Sequence, residues 1–437
     1  MFGRYGRGWV AEPEPAEAGG VSDAPHHPIA PVIGVRSSHD GHMHSDQGHS
    51  DRGHSEQGHH DHPQDCGCAA CEAQGEHTAA ATAGELAAAD TRNDLPSYDW
   101  DEAAEQIGRD DRVFGTSNGG FSFGSHLGRG ATITYGFLAE ADTSTDEGGR
   151  DYQALSTAEI AAVETALARI SAVADIEFVR VTGASGPYLD DPNDAQIDLE
   201  AIAGSNGGLA RTAYSGNALL RSTVSIGERG LETEGSYAFR TALHEVSHAL
   251  GLSHPGDYDG GGARSYEASA EFREDSAQFS VMSYWDESAT GAGYGSAHAA
   301  HLMLYDVAAI QRLYGANETA QAGDDVYGTG ATDAAWSMDG GAPVGAIWDT
   351  GGHDRIDGSG YGGAQRIDLR EEAFSSLGGL THNVAIARGA GIEDATGGQG
   401  DDALIGNALA NTLIGGAGDD LITGGAGADV IYGDGLV

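Results

Sequence analysis

Residues 244–254 read His244-Glu245-Val246-Ser247-His248-Ala249-Leu250-Gly251-Leu252-Ser253-His254. His244 and His248 are spaced four apart, so on a helix both imidazoles leave one face and can hold one tetrahedral cation. Glu245 stands beside them. A carboxylate there can reach a water made acidic by zinc, and such a water is a nucleophile for amide hydrolysis. Gly251 permits a left-handed turn at the helix end, which brings His254 round as a third ligand and leaves one position open for catalysis. The HExxH core alone is moderately specific. With a third histidine and a glycine in register, the full motif is far more so.

A second constellation lies near the C-terminus. From Gly397 the chain reads GGQGDDALI, GNALANTLI, GGAGDDLIT and GGAGADVIY, four units of nine residues. Asp402, Asn411, Asp420 and Asp429 recur at that interval, as do Leu404, Leu413, Ile422 and Ile431. This is the RTX nonapeptide, in which each turn of a parallel β-roll points its apolar residue inward and a glycine-rich loop outward. Stacked loops offer carbonyl and carboxylate oxygens, the ligands calcium prefers.

The elements that must position these groups are legible between them. Ser156 and Glu159 form a capping box ahead of Ile160, Val163, Leu167, Ile170 and Val173, whose spacing of three and four marks one helix face. Short β-rich runs fall at Ile133–Leu138, Ile176–Val181 and Gln196–Ile202, and a second helix is predicted over Tyr237–Leu252. After about Ile310 short apolar pairs alternate with GG, GD and DG, and no further long helix is predicted. Residues 1–95 are dominated by Pro, Gly, Ser, Asp and His and read as a disordered tail. Eleven of the 19 histidines precede residue 78, close to Cys66, Cys68 and Cys71. Such ligands can bind Zn, Ni or Cu loosely, though a solvated low-complexity tail has the same composition. The organisation expected is therefore a tail over 1–95, an α+β domain over 96–310 and an all-β roll over 311–437.

Charge and composition exclude several classes. The 437 residues carry 67 Asp and Glu against 22 cations, all of them Arg, for a formal charge of −45. A nucleic-acid partner is not expected, because binders of polyanions concentrate cations on one face. No run of 18 apolar residues occurs, so no membrane span is expected, and the start lacks the apolar region of a Sec signal. Beyond Cys71 there is no thiol, so no disulfide stabilises the remainder. Part of the −45 is calcium-ligand charge, which predicts a roll that is largely unfolded at low calcium and folds at millimolar calcium.

The segments HEVSHALGLSHPGDYD, SVMSYWDES and DVAAIQRLYGA together resemble the serralysins, the calcium-dependent secreted branch of the metzincin zinc endopeptidases, from about Pro96 to the C-terminus. The resemblance implies a metzincin-type domain with His244, His248 and His254 as ligands of one Zn2+ and Glu245 as general base. It places Met282 in the family's Met-turn beneath the metal. Tyr284 matches a tyrosine that can ligate zinc at rest and swing out to stabilise the oxyanion. An edge strand at Gly208–Tyr214 is expected to pair with extended protein or peptide substrates. Several Ca2+ ions are implied, with contacts at Gln321, Gly323 and Asp325, at Asp349, Gly351, Gly352 and Asp354, at Gly391 and Glu393, at Gly398, Gly400 and Asp402, and at Gly416, Gly418 and Asp420. The family more often has Arg where this chain has Gln321.

By resemblance the protein is a secreted, extracellular monomer exported by type I machinery, made as a zymogen. Two departures qualify this. The family usually continues past these repeats with a further β-rich segment and an export signal, whereas this sequence reaches Val437 after four units, with Asp434-Gly435-Leu436-Val437 only faintly like such a signal. The tail is also longer and richer in His and Cys than the family's propeptides. A thiolate of Cys66, Cys68 or Cys71 at the open zinc position is one route to latency, and self-cleavage of the tail is another. The competing functional reading is a non-catalytic RTX scaffold or adhesin with a vestigial zinc site. Retention of Glu245, Tyr284 and all three histidines argues against it.

Overall fold

A computed structural model describes residues 34–37, 95–109, 112–114, 127–138, 144–145, 151–181, 195–205, 207–215, 217–258, 265–338 and 341–434. Among these, nine strands share one sheet: β1 (Gly34–Ser37), β2 (Val113–Phe114), β3 (Ala131–Phe137), β4 (Ser144–Thr145), β5 (Asp151–Gln153), β6 (Ile176–Arg180), β7 (Ile197–Ile202), β8 (Gly208–Ser215) and β9 (Ala218–Gly227). The order is β1-β8-β9-β7-β3-β6, with β2 beside β9 and β5 beside β7. β6, β3, β7 and β9 run parallel, whereas β8 runs antiparallel to β9. The runs anticipated near Ile133, Ile176 and Gln196 are thus β3, β6 and β7.

Besides a single helical turn at Tyr266–Ser269, four helices of eight or more residues are described in the same region: α1 (Trp100–Ile107), α2 (Thr157–Val173), α3 (Tyr237–Ala249) and α4 (Leu304–Tyr314). The α2 capping box is present, with Ser156 N–H donating to Glu159 Oε2 at 2.6 Å. Ser236 caps α3 by accepting from Phe239 N–H at 3.1 Å. Val163, Leu167 and Ile170 of α2 and Phe239, Leu243 and Val246 of α3 are buried against Ile133, Ile197, Leu199, Val224 and Ile226 of the sheet. Each such side chain contributes roughly 1.5–3 kcal/mol, enough in sum to hold α3 rigidly. The short α1 was not anticipated. Its capping box at Asp99 and Glu102 is a local signal, but with only eight residues the helix is too short for its apolar spacing to stand out. α4 runs across residue 310 into what was expected to be the roll.

The C-terminal strands repeat in parallel. Asp394–Thr396 pairs with Thr412–Gly416, and Ala403–Ile405 with Leu421–Thr423, so paired residues lie 18 apart. This corrects the reading of one nonapeptide as one turn: nine residues are half a turn, and successive units alternate between two sheets. One antiparallel pair, Phe374–Ser375 with Val384–Ile386, and one 3-10 turn at Ala334–Trp336 interrupt the pattern. Leu404 and Leu413 are fully buried, but Ile431 is 49% exposed, because no later strand in the described residues covers the last layer.

Two further differences concern the tail and the surface. The composition of residues 1–95 predicts a disordered tail, yet Gly34–Ser37 pairs antiparallel with Arg211–Tyr214; the edge of β8 supplies the ladder that the local sequence lacks. Cys66, Cys68, Cys71 and the histidine-rich repeat lie outside the described residues. No helix among the described residues is long and apolar enough to cross a membrane.

Candidate metal centre and active site

α3 carries His244 and His248 on one face, and the chain turns sharply after it. Gly251 takes φ +102°, a conformation that L side chains rarely adopt. Leu252 N–H then closes the turn on Ser247 C=O at 3.0 Å, and His254 returns to the helix. The result is convergence: His248 Nε2 and His254 Nε2 are 3.0 Å apart, and His254 Nε2 and His244 Nε2 are 3.2 Å apart.

The Nδ1 atoms decide what this convergence means. His244 Nδ1 lies 2.7 Å from Val281 C=O and His248 Nδ1 2.8 Å from Leu252 C=O. A carbonyl only accepts, so each Nδ1 carries the proton and donates it, leaving a bare lone pair on Nε2. Lone pairs aimed at one another repel unless a cation sits among them. The donor set therefore fits zinc, and the two carbonyls act as the outer partners that fix ligand orientation.

Glu245 is completely buried and adjoins β8. Tyr284 places its ring 4.3 Å from that of His254 and stacks at 6.2 Å on His244. Met282 is fully buried within the turn Ser280–Trp285. Thus the structure brings His244, His248, His254 and Tyr284 into one cluster, with Glu245 on the same helix.

Three nearby residues escaped the sequence reading. Tyr258 has its ring 5.5 Å from His254 and 5.0 Å from Tyr284, and donates to Asp275 Oδ1 at 2.9 Å. Burial pushes Asp275 up to about 6 against the hydrogen bonds from Ser283, Tyr258 and Trp285. Burial likewise pushes Asp306 up to about 6, opposed by Ser280, Val281 and Met303. Asp306 was the readable one, since it is the sole charge in the otherwise uncharged run Leu302–Ile310. Tyr258 and Asp275 sit in polar loops and carry no such local signal.

In the C-terminal region the carboxylates of Asp325, Asp349 and Asp354 lie within 4.8 Å of one another. Asp354 Oδ2 is buried with no hydrogen-bond partner among the described residues, and burial followed by the neighbouring carboxylates raises the pKa of Asp354. Such a set of hard oxygens fits calcium. Glu393 joins by accepting Asp354 N–H at 2.8 Å, with Gly391 just before it. Gly351 and Gly352 take φ +139° and +149°, and Gly352 packs on the Gly323 carbonyl; Gln321 takes φ +45°. Further on, Asp402 accepts from Gln365 N–H at 2.6 Å and from Gly398 N–H, and its own N–H donates to Asp420 at 2.9 Å. Gly416 and Gly418 stack on the carbonyls of Gly398 and Gly400. Asp402 and Asp420 belong to no third group of three acids among the described residues.

The family described as Peptidase M10 serralysin C terminal matches residues 316–434. Serralysin C of Dickeya chrysanthemi is 40% identical over 321 residues, covering 72% of this chain and 66% of that protein. Serralysin of Proteus mirabilis is 37% identical over 73% of this chain and 66% of its own length. Metallopeptidase AprA of Pseudomonas marginalis is 35% identical over 74% of this chain and 68% of its own. The chain spans 65–66% of the length of the Dickeya serralysins A and C.

Proposed function

The chain belongs to the serralysin family, and on that premise we propose that it is a zinc-dependent endopeptidase hydrolysing peptide bonds in protein substrates. The observation that carries this is the convergence of three histidines, His254 Nε2 lying 3.0 Å from His248 Nε2 and 3.2 Å from His244 Nε2, beside the helix that also holds the buried Glu245 against β8.

His244, His248 and His254 would hold the metal, with Tyr284 as a further ligand at rest. Zinc bound there supplies a Lewis acid that polarises an amide carbonyl and acidifies water. Glu245 takes the proton from the attacking water on its carboxylate and returns it to the leaving amide nitrogen. The Tyr284 hydroxyl donates to the carbonyl oxygen as negative charge develops. β8 lines an extended peptide alongside Glu245 through backbone hydrogen bonds, which favours broad sequence tolerance. β1 covers Arg211–Tyr214 of that edge, so a peptide pairing there has to replace it.

In this reading the catalytic domain begins near Pro96 and ends with α4 at Tyr314, and a calcium-stabilised β-roll follows it. Calcium is held by Asp325, Asp349 and Asp354 with Glu393 and backbone groups at Gln321, Gly323, Gly351, Gly352 and Gly391. Further sites fall at Gly398, Gly400, Asp402, Gly416, Gly418 and Asp420. Secretion through type I machinery, an extracellular location and a monomeric state are part of the same reading. Casein clearing tests the central claim. Clearing by wild type and none by Glu245→Ala with zinc still bound supports an endopeptidase; a calcium-loaded, zinc-bound wild type that clears nothing favours the non-catalytic scaffold.

A further inference from the structure

The turn Ser280–Trp285, which carries Met282 and Tyr284, is held at both ends by fully buried carboxylates, one from the loop just before it and one from α4. At one end, Asp306 in the first turn of α4 accepts from Ser280 Oγ at 2.6 Å and from Val281 N–H at 2.7 Å. It also accepts from Met303 N–H at 2.9 Å, which ties the turn to the start of α4. Val281 C=O is the acceptor for His244 Nδ1. At the other end, Asp275 accepts from Ser283 Oγ at 2.7 Å, Trp285 Nε1 at 3.2 Å and the Tyr258 hydroxyl at 2.9 Å. Ser283 and Trp285 flank Tyr284. Between the two ends, Arg240 from α3 donates to Val281 C=O at 3.2 Å and Ser283 C=O at 2.6 Å.

We propose that Asp306 and Asp275 are positioning residues of the metal centre, Asp306 setting the ring of His244 through Val281 and Asp275 setting Tyr284 through Ser283 and Trp285. The inference rests on the reading of the three histidines as zinc ligands. A buried carboxylate that accepts three donors leaves its neighbours one arrangement, and only the carbonyl orientation at Val281 keeps the proton of His244 on Nδ1. The two acids therefore have separable roles. Asp306 acts on metal affinity. Asp275 acts on the phenol that meets developing charge, and so on turnover.

Three readouts separate these roles from mere support of the fold. Zinc affinity of the full chain is measured by competition with a chromophoric chelator, and kcat and KM with a quenched peptide. Asp306→Ala is expected to weaken zinc binding about 10–100-fold. Asp306→Asn is expected to restore wild-type affinity, because its amide oxygen still accepts both backbone N–H groups and its NH2 can donate to Ser280. Asp275→Asn turns an NH2 toward the Trp285 N–H, which cannot accept it; kcat should fall about 10–100-fold with KM unchanged and zinc affinity lowered far less than in Asp306→Ala, because the three histidines stay in place. Adding Tyr284→Phe to Asp275→Asn should then cost nothing more. If Asp306→Ala does not fold, Ser280→Ala removes one of the three bonds and is expected to weaken zinc binding in the same direction. Folded Asp306→Ala or Ser280→Ala with wild-type zinc affinity, or multiplying effects of Asp275→Asn and Tyr284→Phe, overturn the proposal. A wild type that cleaves no peptide sinks the peptidase reading instead, and the zinc-affinity arm still decides for or against Asp306.

Discussion

Gly208 at the start of β8 has its backbone directly against Glu245 of α3: a Cβ at Gly208 would lie 2.7 Å from Glu245 Oε1 and 2.8 Å from Thr241 Cγ2. Only glycine lets the sheet edge come so close to the proposed general base. Gly208→Ala should leave the fold and zinc binding intact while displacing the carboxylate. A shift of this size is expected to cost about 10–100-fold in kcat, measured on a peptide substrate beside a circular dichroism control. An Ala variant with wild-type kcat would show that this contact does not place the base.

The second close constraint is at Gly251. Its φ of +102° is strained for any other residue, and a Cβ there runs into the Arg112 carbonyl. Gly251→Ala should lower stability by about 1–3 kcal/mol and weaken zinc binding, since the turn no longer returns His254 to α3. Denaturant unfolding in EDTA and chelator competition measure the two effects. Loss of stability with zinc affinity unchanged would separate the turn from the ligand.

Calcium binding should depend on pH through Asp349 and Asp354. Burial and then neighbouring carboxylates hold both above the ordinary range, Asp354 up to about 7. In the cation-free roll these protons stabilise the fold fully below about pH 4, and that contribution is lost as pH rises through about 7. Calcium takes the ionised form, so its affinity should weaken as pH falls below about 7, with protons released on binding. Calorimetry at a pH near 6 in buffers of different ionisation enthalpy measures that release. It should shrink in Asp354→Asn; no proton exchange in wild type contradicts the assignment.

β1 occupies the β8 edge opposite Arg211–Tyr214. A chain beginning at Leu95 should therefore cleave peptides with a lower KM and a similar kcat, because an intramolecular strand competes at high effective concentration. Comparing steady-state kinetics of the two forms is sufficient. Equal KM values would mean that β1 and substrate do not share the edge.

The sequence by itself determined whatever is local in the chain. His244, Glu245 and His248 share a helix face because four residues are close to one turn, and Ser156, Glu159 and Gly251 mark element ends through bonds or torsions confined to a few residues. The nonapeptide period was equally plain. That nine residues make only half a turn was not, since an interval states that units repeat and not which unit lies beside which; the pairing of Asp394 with Thr412 decides it. The tertiary structure alone decided the surroundings of the metal centre. Asp275 and Asp306 reach the turn around Met282 from either side of it in the chain, Tyr258 arrives beside His254 from the loop that follows, and Gly208 meets Glu245 only because β8 lies over α3. These contacts join residues whose own neighbours in sequence give no cause for them, because their partners are supplied by packing of the sheet, α3 and α4 around one core.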